Sequence, residues 1–210
     1  MAAVLGMVLV RAGWGWFTPD RTQVHTPQGV ELQANGLPVG YHYLDEEDGW
    51  VSRLVCGPVS WELIGSAPKG GEDAIHEALD LMREMTGFEP EPADQVTFPS
   101  VELTFEFVTR EVMLERASPD QSVEAVGLAQ VQYSRMGITR ADILLDEKFF
   151  KSMWQVDRDA AVLVVLHELG HALGLDHTMD VSSFMYPSVD PESRITDSDV
   201  VAFEAVLPDC

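Results

Sequence analysis

The run His167-Glu168-Leu169-Gly170-His171-Ala172-Leu173-Gly174-Leu175-Asp176-His177 carries more chemical information than any other part of this 210-residue chain. Three of the chain's six histidines fall inside it. His167 and His171 stand at i and i+4, so on a helix they project from one face, a turn apart, and can grip a single ion. Glu168 lies about 100° further round the helix, close enough to work on a metal-bound water without ligating the metal. Gly174 can take a positive φ, which stops the helix and turns the chain back. That reversal lets His177 reach the same ion from outside the helix. Three neutral imidazoles leave the fourth position of a tetrahedral zinc ion open, as a catalytic site requires and a structural one does not. An amphipathic helix carrying histidines for packing would account for a lone His-x-x-x-His pair. It does not account for five specified positions with the glycine correctly placed.

A second feature follows in Ser183-Phe184-Met185-Tyr186-Pro187, with Met185 eight residues after His177. A methionine in an apolar loop is ordinarily core filler. Together, however, the two stretches resemble the metzincin metalloproteases, matching the zinc motif at every defined position and the methionine turn beneath the metal. The Met-Tyr-Pro ending is similar to the matrixin branch in particular, and the resemblance covers about residues 56–208. It implies an α/β (α+β) zincin domain: a twisted mixed sheet of about four to five strands with three helices, among them the active-site helix, and a Met-turn. It also implies a zinc-dependent endopeptidase in which Glu168 activates a zinc-bound water, His167, His171 and His177 hold one catalytic zinc, and Met185 lies under the metal. Substrate would lie extended along Gly127–Tyr133, so that Leu128, Ala129 and Gln130 add backbone hydrogen bonds by β-augmentation. Pro187 would begin the segment that walls the specificity pocket.

Departures from the family pattern narrow these expectations. Matrixins commonly carry a second, structural zinc on their fourth and fifth strands, but Gln130 and Leu144 stand where histidines would be. One zinc is therefore expected. Asp142, Asp146 and Glu147 are the acidic groups that could bind calcium, although an ordinary polar strand end explains them as well. The pocket segment reads Pro187-Ser188-Val189 rather than Pro-x-Tyr, so the pocket's shape is not carried over. Cys56-Gly57-Pro58 echoes the Cys-Gly pair with which matrixin prodomains silence zinc, but the next strand follows almost at once. The rival from another class is a zinc-holding, non-catalytic protein-binding module on the same scaffold. Glu168 argues against it, since a pure binder has no use for that carboxylate.

Composition sets the outer limits. A hydrophobic content of 46% over 210 residues allows one good core, or one domain with an appendage. The formal charge of −22 excludes nucleic acid and anionic lipid as partners. A protein or peptide substrate and a monomeric, self-repelling surface are expected instead. Residues 1–17 form an apolar N-terminal segment, too short to span a bilayer and interrupted by Arg11, which reads as an anchor or truncated signal. Residues 18–55 hold Pro19, Pro27 and Pro38 and the acidic cluster Asp45-Glu46-Glu47-Asp48, which reads as a stalk or small irregular pro-region. Residues 56–210 are the catalytic domain. The enzyme class and the two cysteines, Cys56 and Cys210, favour an extracellular or outward membrane-anchored location with a bridge between them; the alternative is cytoplasmic, with two unrelated thiols.

Periodicity supplies the elements. Val59–Leu63 alternates as a half-buried strand, and Val101, Leu103, Phe105 and Phe107 alternate with polar residues as a second. Further strands are expected at Gly127–Tyr133 and Ala141–Leu145. Ile75, Leu79, Met82 and Met85 mark one face of a helix ending near Gly87, with His76 solvated off that stripe. Asp157 is expected to N-cap the active-site helix, and Thr196 or Asp197 to open a last helix before Pro208.

Overall fold

The structure, a computed structural model, describes residues 3–10, 21–24, 26–47, 50–117 and 125–207. The Trp14–Phe17 cluster and Cys210 lie outside these. The elements in chain order are β1 (Ala3–Val10), β2 (Glu46–Glu47), β3 (Trp50–Val51), β4 (Val59–Ile64), α1 (Gly71–Thr86), β5 (Glu91–Pro92) and β6 (Val101–Val108). After these come α2 (Arg110–Arg116), β7 (Gly127–Ser134), β8 (Gly137–Asp146), α3 (Glu147–Val156), α4 (Arg158–Leu173), β9 (Ser188–Val189) and α5 (Asp197–Val206).

One mixed sheet runs in the order β5-β4-β6-β8-β7-β1-β9. β4, β6 and β8 are mutually parallel, and β7 returns antiparallel to β8. The parallel pairs need crossovers, and α1 makes the one between β4 and β6. The four expected strands are all present. The sheet is wider than four or five strands because β1 and the two-residue β5 and β9 add to its edges. Among the described residues five α-helices stand where three were expected. The additions are α3, whose pattern merges with the approach to α4, and the seven-residue α2.

Helices α1, α3, α4 and α5 pack together on one face. α4 is apolar all round, and Ala160 through Leu173 are buried without a break, so it is the core helix rather than an amphipathic cover. Asp157 ends α3 and N-caps α4, its carboxylate accepting from Ala160 N–H at 3.1 Å. The same carboxylate pairs with Arg21, which also donates to the Asp190 carbonyl at 3.1 Å. Arg21 thus ties the start of the core helix to the loop beyond Met185. On α1 the buried set is Ala74, Ile75, Ala78, Leu81, Met82 and Met85, and Gly87 at φ 71° closes the helix. His76 is exposed and meets the Trp61 ring edge-on at 5.2 Å.

The opposite face of the sheet holds a small second cluster of Val108, Met113, Ala125, Leu128 and Leu144, to which α2 contributes Met113. Leu128 and Leu144 are register partners on β7 and β8. Of the two positions where a structural-zinc ligand was expected to be missing, Leu144 is packed in this cluster. Gln130 turns its amide to the Arg116 carbonyl at 3.0 Å. Two of the three carboxylates considered for calcium are engaged by protein partners: Asp142 accepts from Thr104 at 2.6 Å and pairs with Arg140, while Asp146 caps α3 and pairs with Arg110 at 3.1 Å.

Two regions expected to stand apart from the catalytic part instead pack onto it. Leu37, Tyr41, Tyr43 and Leu54, from the stretch read as a stalk or pro-region, belong to the same hydrophobic cluster as α4 and the sheet. Ala3–Val10 of the apolar segment is a sheet strand. A run of Pro and Gly marks irregular backbone, and among the described residues there only β2 and β3 are regular strands. It says nothing about whether the few apolar residues between the turns find a core to enter.

Candidate active site

The helix delivers His167 and His171 to one place, and the turn at Gly174 delivers His177. Gly174 caps α4 at φ 108°, a backbone region that favours glycine. A Cβ there would also run into the Ser52 carbonyl. The three rings converge: His171 Nε2 lies 3.0 Å from His167 Nε2 and 3.3 Å from His177 Nε2. Among the described residues they form a group able to hold a metal ion.

The hydrogen bonds on the far side of two rings fix what faces inward. His167 Nδ1–H donates to the Phe184 carbonyl and His171 Nδ1–H to the Leu175 carbonyl, each at 2.7 Å. A neutral ring that donates from Nδ1 presents a bare lone pair at Nε2. Burial keeps both rings neutral: it pushes His167 well below the usual histidine range and His171 down to about 3, with the neighbouring histidines adding to the effect. Two lone pairs facing each other at 3.0 Å repel. A cation between them removes the repulsion, so the donor set fits a zinc ion on chemical grounds.

Glu168 is fully buried and faces β7. A Cβ on Gly127 would overlap its carboxylate, so only glycine allows the strand this close. Gly170 plays the same part on the other side of the helix, where a Cβ would overlap Met185 Sδ. Met185 is wholly buried beneath the site. Its turn is pinned from below: Met185 N–H donates to Ser183 Oγ at 2.8 Å, and Ser183 Oγ donates to the Asp199 carboxylate of α5. Asp199 also accepts from Tyr41 Oη at 2.6 Å and from Thr196 at the N-cap of α5. Burial raises the Asp199 carboxyl from 3.8 to about 6, against the lowering effect of these donors. The Tyr41 hydroxyl is raised as well, by burial and by the adjacent Asp199.

The segment before β4 clamps the zinc-loop turn from outside. Leu44 N–H and Ser52 Oγ both donate to the Gly174 carbonyl, at 2.7 and 3.0 Å, and Asp176 N–H donates to the His42 carbonyl at 2.9 Å. Asp176 accepts from His177 N–H at 2.7 Å, and its oxygen stays 3.8 Å from the ring Nδ1, so it shapes the loop rather than the ring. Cys56 is disulfide-bonded, which removes it as a thiol ligand.

The three histidines assigned to metal binding are thus brought to one point, and Glu168, assigned to base chemistry, is buried on the same helix. The residues expected to meet substrate, Leu128, Ala129 and Gln130, lie on β7 beside it, but their strand edge is already paired with β1. Pro187 is half-buried just before β9. Reading the sequence did not single out Gly127, Gly170, Ser52 or Asp199 in these roles. A lone glycine inside a helix or a strand is a signal of close approach, so the first two left a trace.

Residues 59–206 match the family described as matrixin, a span of well over half the chain. The chain is a matrixin. The family is one of zinc metalloendopeptidases, and its members are generally secreted or extracellular. A short stretch of 31 residues is 52% identical to Metalloendoproteinase 1 from Glycine max; it covers 15% of this matrixin and 10% of the relative's length. No helix among the described residues is long and apolar enough to cross a membrane.

Proposed function

We propose that this matrixin is an endopeptidase whose catalytic unit is residues 56–210, with His167, His171 and His177 as ligands of a single zinc ion. Convergence of the three ring nitrogens, with a buried carboxylate on the same helix, is the observation that carries this reading. Bound zinc supplies Lewis acidity, polarising the scissile carbonyl and making water acidic enough to attack near neutral pH. Glu168 accepts the proton of the attacking water and returns it to the leaving amine. Its burial against Gly127 strengthens both transfers, because little water competes for the carboxylate. Phe184 and Leu175, through their carbonyls, hold the ligand rings in the tautomer that faces inward. Met185 and Gly170 form a tight floor that fixes the position of the helix beneath the rings.

Substrate is a protein or peptide, extended along β7 so that Leu128, Ala129 and Gln130 pair with its backbone, with Pro187 at the start of the opposite wall. The filled cluster of Leu128 and Leu144 supports one zinc rather than two. The disulfide at Cys56 and the family's habit support an extracellular or outward-facing location. The strong negative charge supports a monomer. The test is digestion of an unbiased peptide library with and without a chelator. Cleavage that the chelator abolishes and zinc restores is expected. Zinc binding with no cleavage of any peptide would overturn the enzyme reading in favour of a binding module.

A further inference from the structure

The chain between His177 and the methionine turn does more than connect them. Asp180 and Ser182 from this stretch line a cavity of about 590 Å³, a size typical of ligand pockets. Arg21, Glu31 and Val39 line it from the segment before β2, and Arg194 and Asp197 from the approach to α5 and its first turn. Glu31 and Val39 are neighbours across a hairpin, where Val39 N–H donates to the Glu31 carbonyl at 3.0 Å. The end of that hairpin reaches the loop beside the third histidine: a Cβ on Gly40 would lie 3.6 Å from Thr178 Oγ1. The hairpin and the loop also carry Leu32, Val39, Met179 and Val181, four of the nine large apolar side chains exposed among the described residues. Such a concentration marks a contact surface, where scattered single residues would not.

The wall of the cavity is negative. Asp180 accepts from Ser182 N–H at 2.9 Å and Asp197 from Gln28 N–H at 3.2 Å, neutral donors that leave both charges in place, and Glu31 adds a third carboxylate. Arg194 opposes them, its guanidinium donating to the Glu192 carbonyl at 3.5 Å. Arg21 does not, because Asp157 and Asp159 already neutralise it. Its side chain is only 2% exposed, and its Nε–H has no hydrogen-bond acceptor. A buried donor in that state calls for a carbonyl oxygen. The geometry points to a second peptide-binding site, in which the cavity takes a Lys or Arg side chain of the substrate flanked by apolar residues. This inference rests on the protease reading for its occupant. The cation meets the three carboxylates, a peptide carbonyl meets Arg21, and the apolar neighbours cover the exposed side chains of the two loops. Substrate is the occupant because the cavity and the metal site share one loop, so a polypeptide leaving the metal beside His177 meets the cavity next. The formal charge of −22 draws the same kind of segment from a distance.

The experiment uses the full zinc-loaded chain carrying Glu168→Gln, so that a bound peptide survives. The probe is a fluorescein-labelled Leu-Lys-Leu-Arg-Leu peptide followed by anisotropy, beside a version with Glu at both basic positions. Glu31→Lys/Val39→Lys reverses the charge of the wall and leaves the backbone pairing of the hairpin in place. Glu84→Lys/Gln95→Lys makes the same change in net charge at exposed positions that do not line the cavity. Binding of the basic probe is expected to weaken at least ~10-fold in the cavity variant and less than ~2-fold in the control, with the acidic probe bound by neither. Equal weakening in the two variants, which would reduce the effect to overall charge, overturns the proposal, and so does no weakening in either. With Glu168 intact, a cleaved library peptide that gains the basic-apolar tail is expected to show a lower KM at unchanged kcat, and the cavity variant to abolish that gain. A tail that leaves KM unchanged while the cavity variant still loses the probe overturns the assignment to substrate and gives the site to a separate protein. Absence of any cleavage would strike the enzyme reading, and the anisotropy comparison still decides whether the cavity takes a basic segment.

Discussion

The stretch from His167 to Met185 and the stretch from Leu37 to Leu54 meet at one turn, and they reach it by different physics. The first supplies the side chains of the proposed chemistry: three ring nitrogens and a carboxylate at fixed spacings on a helix and its cap. The second supplies backbone and small polar groups that hold the turn still, through Leu44, Ser52 and His42 on Gly174 and Asp176. Chemistry depends on residue type and spacing, so it is written in the sequence. Clamping depends on where a carbonyl happens to lie, and almost any residue supplies one. The comparison teaches that the site is a joint product of a legible and an illegible segment.

The largest effect belongs to the chemical stretch. On the proposed mechanism, in which the carboxylate works on water and not on the metal, Glu168→Gln is expected to lower peptide hydrolysis by roughly 10² to 10⁴-fold while zinc stays bound. His167→Ala is expected to lose the metal itself. Rate assays paired with elemental analysis separate the two, and a zinc-loaded Glu168→Gln protein with near-normal turnover would place the base elsewhere.

Asp199 joins the two stretches, since it holds Ser183 under the methionine turn and Tyr41 from the clamping side. Burial raises its carboxyl from 3.8 to about 6, so the folded chain holds this proton more tightly than the unfolded chain does. Its contribution to stability is full below the lower value and is lost as pH rises through the upper one. Asp199→Asn cannot titrate. The stability of the parent relative to that variant is therefore expected to fall by about 3 kcal/mol between pH 3.5 and pH 7. His167 and His171 act in the opposite sense over an overlapping window, but they are common to both proteins and cancel. Denaturant titration of the two metal-free proteins across that range is the check, and a flat difference would mean that water reaches the carboxylate.

Gly170→Ala tests how tightly the floor is packed. The new methyl must displace Met185 in a fully buried place, at a cost of about 2 kcal/mol. Thermal unfolding reads it, and Met185→Ala in the same chain should recover part of the loss by making room. The smallest effect belongs to the clamp. Ser52→Ala removes the hydrogen bond to the Gly174 carbonyl, which keeps its bond from Leu44 N–H, and the one that Ser52 Oγ accepts from Asp45 N–H. A loss of about 1 kcal/mol is expected, with zinc affinity several-fold weaker. No change in zinc affinity would make the clamp a matter of stability alone.

The sequence by itself marked out the candidate site's side chains and most of its scaffold. His167, His171, His177, Glu168 and Met185 are legible because metal ligation requires particular atoms, and a helix and its cap place them by local geometry alone. Asp157 and Thr196 as caps, and the four strands β4, β6, β7 and β8, follow from the same local rules. Only the tertiary structure decided that Leu37, Tyr41 and Tyr43 enter the core, that Gly127 and Gly170 are where strand and turn touch the helix, and that Asp199 anchors the methionine turn. It also decided the place of Ala3–Val10, an apolar run whose pattern suits an anchor as well as a strand. The reason is common to all of these. Each depends on a contact between segments distant along the chain, and such a contact leaves no period, spacing or cap in either segment alone.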